Sequence, residues 1–248
     1  MRLKLISCEV LYREMCAAIS RSPNPVDVEF LPKGLHDLGA RAMQAKIQEI
    51  ADAVDAARYD AIVFGYALCG NGIDGLVSRT LPLVIPRAHD CIALLMGDRE
   101  RYRDYFERNP GVYFRSTGWL ERGEDLQPAT LQTVKDKTGH GYTLEELIAR
   151  YGEDDGRYLF GQVHGYLTSY RQLTYISTGL ESDERFEQQA RAEADGRGWQ
   201  FDLVRGSLRL FEKLLSGQWE DPDLLVVPPG WRVKACWDSS VIEKEKLA

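Results

Sequence analysis

Short β-branched and apolar runs alternate with helix-patterned segments through the first half of the chain. Strands are predicted at Leu3–Ser7, Val26–Leu31, Ala61–Gly65, Leu81–Ile85 and Val112–Arg115. Between the second and third strands, Met43, Ile47, Ile50, Ala51 and Val54 recur at the spacing of one helical face, which predicts a helix from about Ala40 to Ala57. An amphipathic segment carrying Leu11, Met15 and Ile19 follows the first strand and places Cys16 in the core. Strands that are apolar on both faces and separated by helices argue for a mostly parallel sheet covered on both sides.

After Trp119 the pattern gives way to a polar stretch containing Gln127-Pro128, Lys135-Asp136-Lys137 and Gly139-His140-Gly141. Helical periodicity resumes from Leu144 to about Tyr170, with a break near Gly152–Gly156. A strand at Leu173–Ile176, a helix at Asp183–Ala194, a strand at Trp199–Val204, a helix at Ser207–Leu215 and a last strand at Leu224–Val227 then repeat the earlier rhythm. The expectation is a doubly wound α/β fold of two Rossmann-like lobes: residues 1–119, a connection at 120–142, and residues 143–248. A single continuous sheet is the rival arrangement.

Composition narrows the function. The net charge is -7, and no basic run concentrates the positive surface that phosphate neutralisation requires, so nucleic acid is not an expected partner. Charges interrupt the apolar N-terminal segment, and no stretch approaches the roughly 20 apolar residues that span a bilayer; a cytoplasmic protein with no membrane partner is expected. Five cysteines without a secretion signal argue for reduced thiols rather than a disulfide framework.

The unusual residues follow the predicted strands. Cys8-Glu9 follows the first, Pro32-Lys33-Gly34-Leu35-His36 the second, Gly65-Tyr66-Ala67-Leu68-Cys69-Gly70-Asn71-Gly72 the third, Pro86-Arg87-Ala88-His89-Asp90-Cys91 the fourth, and Ser116-Thr117-Gly118-Trp119 the fifth. In a parallel sheet these segments leave from one edge, the edge where open α/β folds bind ligands. Three of the five cysteines and two of the four histidines lie there. Cys8, Cys69 and Cys91 are the expected thiolate ligands of a metal, with His89 or His36 as a fourth donor, since zinc accepts both sulfur and nitrogen. Tyr66, Gly70, Asn71, Gly72 and Trp119 are expected to border the bound cofactor or small-molecule substrate. Glu9, Arg87 and Asp90 are the candidate acid–base and charge-balancing groups. Neither a Walker phosphate loop nor a Gly-X-Gly-X-X-Gly fingerprint follows the first strand, which disfavours ATP and NAD.

These same motifs, from Cys8-Glu9 through Gly118-Trp119 to Pro228-Pro229-Gly230, resemble a prokaryotic family of unknown function of about this length. The resemblance implies an association with corrinoid-dependent methyl-transfer genes, one-carbon metabolism and a corrinoid protein as partner. The chain lacks the Asp-X-His-X-X-Gly pattern of a corrinoid carrier. The leading expectation is a zinc-dependent thiolate-site enzyme, with methyl transfer as its reaction. An iron–sulfur protein using the same cysteines and a non-catalytic metal- or small-molecule-binding protein are the alternatives.

Overall fold

The computed structural model describes residues 1–122, 142–164 and 169–247, with the backbone alone at 161–164. Most of the expected connection, including Gln127-Pro128, Lys135–Lys137 and Gly139–Gly141, lies outside the described residues, as does part of the helical region expected to reach Tyr170.

The main sheet runs β2 (Val26–Leu31), β1 (Leu3–Cys8), β3 (Ala61–Gly65), β5 (Leu83–Pro86) and β9 (Leu224–Val227). The first four strands are parallel and β9 is antiparallel to β5. Side-chain alternation gives the sheet two apolar faces. Leu3, Leu5, Ala61, Val63 and Val84 point to one side, where α1 (Tyr12–Arg21), α3 (Cys91–Met96) and α9 (Arg209–Leu215) cover them. Ile6, Cys8, Ile62, Phe64, Leu83 and Ile85 point to the other, against α2 (Ala40–Asp52) and the C-terminal strands. β3 is buried along its whole length, as a central strand between two helical layers must be.

A second sheet is parallel throughout: β6 (Val112–Ser116), β7 (Gln172–Ser177) and β8 (Gln200–Arg205). Leu173 and Tyr175 pack on α8 (Arg185–Arg197) through Phe186, Ala190 and Ala194. On the opposite face, Tyr105 of α4 (Arg99–Arg108) stacks with Phe114. Ile176 and Val204 enter the same core cluster as α3 and α9, so the two sheets share packing. The helical region after 142 comprises α6 (Leu144–Tyr151), capped by a reciprocal Thr143–Glu146 box, and α7 (Glu153–His164).

Three details depart from the sequence pattern. The helix expected to reach Ala57 stops at Asp52; the Asp55 carboxylate accepts the Ala57 N–H at 2.9 Å, a local turn that competes with helical continuation. The strand at Leu224–Val227 joins the main sheet rather than the second one. Beyond it lie two further strands, β10 (Trp231–Ala235) and β11 (Ile242–Lys246), which form an antiparallel sheet with the short β4 (Val77–Ser78). Each is largely exposed, so its apolar signal reduces to Val233 in one and Ile242 in the other.

Candidate functional site

The carboxyl ends of β1, β2, β3 and β5 lie side by side, and the chain turns sharply after each. Cys8 ends β1 in extended conformation and a 3-10 turn, Glu9–Leu11, follows at once. A second 3-10 turn, Lys33–Leu38, follows β2 and brings His36 Nε2 to 3.9 Å from Cys8 Sγ. After β3, Tyr66 is fully buried and the backbone enters the left-handed region for three residues: Cys69 at φ 48°, Gly70 at 64° and Asn71 at 69°. Two of these carry a Cβ, and such strain persists only where the surroundings enforce it. Main-chain bonds supply that constraint: Leu68 N–H donates to Ala88 at 2.9 Å and Cys69 N–H to His89 at 2.8 Å, fastening the loop after β3 to the loop after β5.

Asp90 caps α3 by accepting the N–H groups of Ile92 and Ala93, while its second oxygen accepts the Tyr102 hydroxyl at 2.8 Å. The cap fixes Cys91 in the first turn of α3. Trp119 arrives from the second sheet on α5 (Thr117–Glu121). Gly118 allows that approach, since a Cβ there would lie 1.7 Å from the Val10 carbonyl oxygen.

The fold thus brings Cys8, Cys69 and Cys91 into mutual electrostatic reach. Burial raises every one of the three thiols: Cys8 to about 11, and Cys69 and Cys91 well above the ordinary thiol range. The charge of each as a thiolate would raise its neighbours, whereas the N–H groups of Val10 at Cys8 and of Ala67 and Cys91 at Cys69 pull the other way. Burial lowers His36, leaving it a neutral nitrogen donor at neutral pH. Lys33 is lowered by the same cause, and its Nζ stands 4.7 Å from the centre of the Trp119 ring.

Two further groups complete the surroundings. The Tyr66 hydroxyl lies beside the Cys8 sulfur and near Cys69, but reaches hydrogen-bond geometry with no atom of the described residues. The Trp119 indole N–H faces the Cys91 sulfur in the same condition. As the side chains stand, no three His, Cys, Asp or Glu groups among the described residues are disposed to hold a metal ion.

The remaining expected site residues stand elsewhere or carry local duties. His89 is exposed and lines a surface cavity of about 440 Å³ with Arg99, Tyr102, Arg103 and Ser239. His36 is therefore the imidazole beside a thiol. Arg87 donates to the carbonyls of Leu224 and Ser240, both at 3.3 Å, and to that of Ile242, tying the C-terminal strands to β5. Glu9 accepts the Lys33 N–H at 2.8 Å. Gly72 gives room to Met43, whose sulfur would lie 2.3 Å from a Cβ, and Asn71 is exposed. Cys16 is half-buried on α1. Sequence reasoning passed over Lys33, although its place after β2 beside Gly34 was a readable signal.

A family model described as a protein of unknown function, DUF1638, matches residues 30–215. The chain belongs to the DUF1638 family. The match spans His36, Tyr66, Cys69, Cys91 and Trp119, leaving Cys8 and the C-terminal strands outside it. No curated protein matches this DUF1638 chain, and no solved structure does. Among its described residues no helix is long and apolar enough to cross a membrane.

Proposed function

We propose that this DUF1638 protein is a thiolate-site metalloenzyme in which Cys8, Cys69 and Cys91 take up zinc, with His36 as the nitrogen donor. The observation that carries this reading is that three desolvated thiols from three strand ends lie within electrostatic reach of one another, with one imidazole 3.9 Å from the Cys8 sulfur. Three buried thiolates would repel one another strongly, and a divalent soft or borderline cation is the natural counter-charge. Uptake requires the side chains to turn towards a common centre. His36 replaces His89 in the ligand set because it is the one beside a sulfur.

The reaction we attach to the site is methyl transfer to a substrate thiol, with a corrinoid protein as partner. In such a step the thiolate sulfur forms the bond to the methyl carbon, and the electron pair of the cobalt–carbon bond stays on cobalt. A metal-bound thiolate keeps nucleophilic character at neutral pH, which the buried free thiol lacks.

A specific observation favours a second reading, an iron–sulfur cluster on the same cysteines. The unpartnered Tyr66 and Trp119 donors face sulfur, and hydrogen bonds to sulfur tune such clusters. Anaerobic purification followed by elemental analysis separates the two. Stoichiometric zinc in colourless protein, lost in both Cys69→Ser and Cys91→Ser with folding intact, supports the first; iron with absorbance near 400 nm supports the second. Metal-free wild-type protein that takes up neither overturns both. Methyl transfer is read with methylcobalamin and a small thiol: thioether formation abolished by Cys69→Ser is expected, and metal-loaded protein without turnover would make this a binding protein.

A further inference from the structure

Buried polar groups almost always find partners, because leaving one unmade costs the full desolvation of the group. At the thiol site two donors stand without one, Tyr66 Oη and Trp119 Nε1, and they arrive from different sheets: the end of β3 and the start of α5. Tyr66 is 1% exposed, so water has little access to it. The atoms they face are thiol sulfurs, which are weak acceptors. A cation stands with them, the Lys33 ammonium over the Trp119 ring. The site therefore gathers neutral donors and a positive charge beside its nucleophiles, and wants an acceptor.

We propose that the thiol site binds the carboxylate of a small-molecule substrate, one carboxylate oxygen accepting from Tyr66 and the other from Trp119, with Lys33 balancing the charge. This deepens the thiolate reading and rests on it for the reacting centre. Two neutral donors and one ammonium match a flat monoanion with two acceptor oxygens. A phosphate dianion calls for arginine forks or a nest of main-chain N–H groups. Two arginines at this junction are already committed, Arg13 to Glu121 and Arg115 to Glu193, each through two hydrogen bonds, and a third, Arg122, lays its guanidinium over the Tyr12 ring at 4.3 Å. Of the carboxylates whose charge reaches the Lys33 ammonium, Asp37 acts most strongly and Glu9 already accepts the Lys33 main-chain N–H.

The test follows the indole N–H resonance of Trp119, assigned by its disappearance in Trp119→Phe, during titration of the full chain with sodium acetate. Protein stripped of metal with a chelator is used, so that the outcome does not depend on which metal the thiols take. A saturable shift of that resonance is expected, with no response to methylammonium chloride. Tyr66→Phe should weaken acetate binding roughly tenfold, the worth of one hydrogen bond to a charged group, and Lys33→Met by a similar factor. A calorimetric acetate titration of Trp119→Phe reads the same loss without the probe. An unmoved Trp119 resonance in folded protein overturns the assignment, as does tighter binding of inorganic phosphate than of acetate. A shift produced by zinc alone, with acetate silent, would also overturn it and assign the two donors to metal-bound thiolates. Metal content measured on untreated samples separates failure of this inference from failure of the thiolate site itself.

Discussion

Replacing Tyr66 by Phe should make the ligand-free protein more stable. The ring is fully buried against Ile6, Phe64 and the rest of that core cluster, and Phe preserves its volume and packing. What it removes is a hydroxyl that burial has stripped of water and to which no atom of the described residues offers hydrogen-bond geometry. An unsatisfied buried polar group costs about 1–3 kcal/mol, and the adjacent thiol returns a part of that, so a net gain of about 1–2 kcal/mol is expected. For a chain of this size such a gain raises the melting temperature by about 2–8 °C. The assay is thermal unfolding of metal-stripped wild type and Tyr66→Phe, without and with acetate. In the absence of acetate the variant should melt higher; with acetate the wild type should gain more, because ligand binding stabilises only the state that binds. A variant that melts several degrees below wild type without ligand would refute the reasoning, since it would mean that the hydroxyl is satisfied in the free protein.

Other expectations follow from the packing. Glu14 is 2% exposed, with one oxygen accepting the Thr178 hydroxyl at 2.7 Å and the other unpartnered, and burial raises its pKa above the usual 4.5. The folded state then holds the proton longer than the unfolded chain, so stability falls as pH rises from that usual range through the folded value, and the cost persists at neutral pH. Glu14→Gln should flatten the dependence and raise stability at pH 7, as read by urea unfolding across pH. Gly118→Ala forces α5 away from the Val10 carbonyl and should cost about 2–4 kcal/mol in chemical denaturation, while disturbing the Trp119 resonance. Arg87→Met removes three hydrogen bonds to carbonyls around β9 and β11. It should cost about 2–3 kcal/mol and speed proteolysis at residues 236–241, leaving metal content unchanged; loss of metal in that variant would return Arg87 to the site.

Much of the fold was legible because its core strands are buried on both faces. Ala61–Gly65 matches the observed strand end to end, since an apolar run bounded by polar turns leaves few alternatives, and the edge strand Val26–Leu31 matches through its alternation of apolar residues with Asp27 and Glu29. Periodicity failed where burial is one-sided or short. Val77–Ser78 has two residues, too few for any period, and Ile242–Lys246 presents one deeply buried side chain among charged ones. The direction of Leu224–Val227 was equally out of reach. An apolar run reads the same whether its neighbour is parallel or antiparallel, and the partner that decides, Leu83–Pro86, lies far earlier in the chain.

The site divides along a similar line. That cysteines after β1, β3 and β5 would converge followed from topology, because parallel strands deliver their following residues to one edge. Which side chains at that edge turn inward did not follow, because it is set by main-chain bonds that leave no mark on sequence spacing. His89 and Cys91 are two residues apart, yet the His89 carbonyl is held by Cys69 while its imidazole stands on the outer surface. His36, more distant in sequence from either cysteine, is carried to Cys8 by a 3-10 turn. Asp90, expected among the acid–base and charge-balancing groups, also caps α3 and so helps set Cys91 in place, a duty its spacing in the sequence does not reveal. Trp119 comes from the second sheet, and its approach depends on the missing side chain at Gly118. A donor supplied across the junction of two sheets makes the site sensitive to how those sheets are seated. Substitutions at the Gly118–Val10 contact should therefore weaken carboxylate binding and, because the Val10 N–H also reaches Cys8, disturb that thiol more than Cys69.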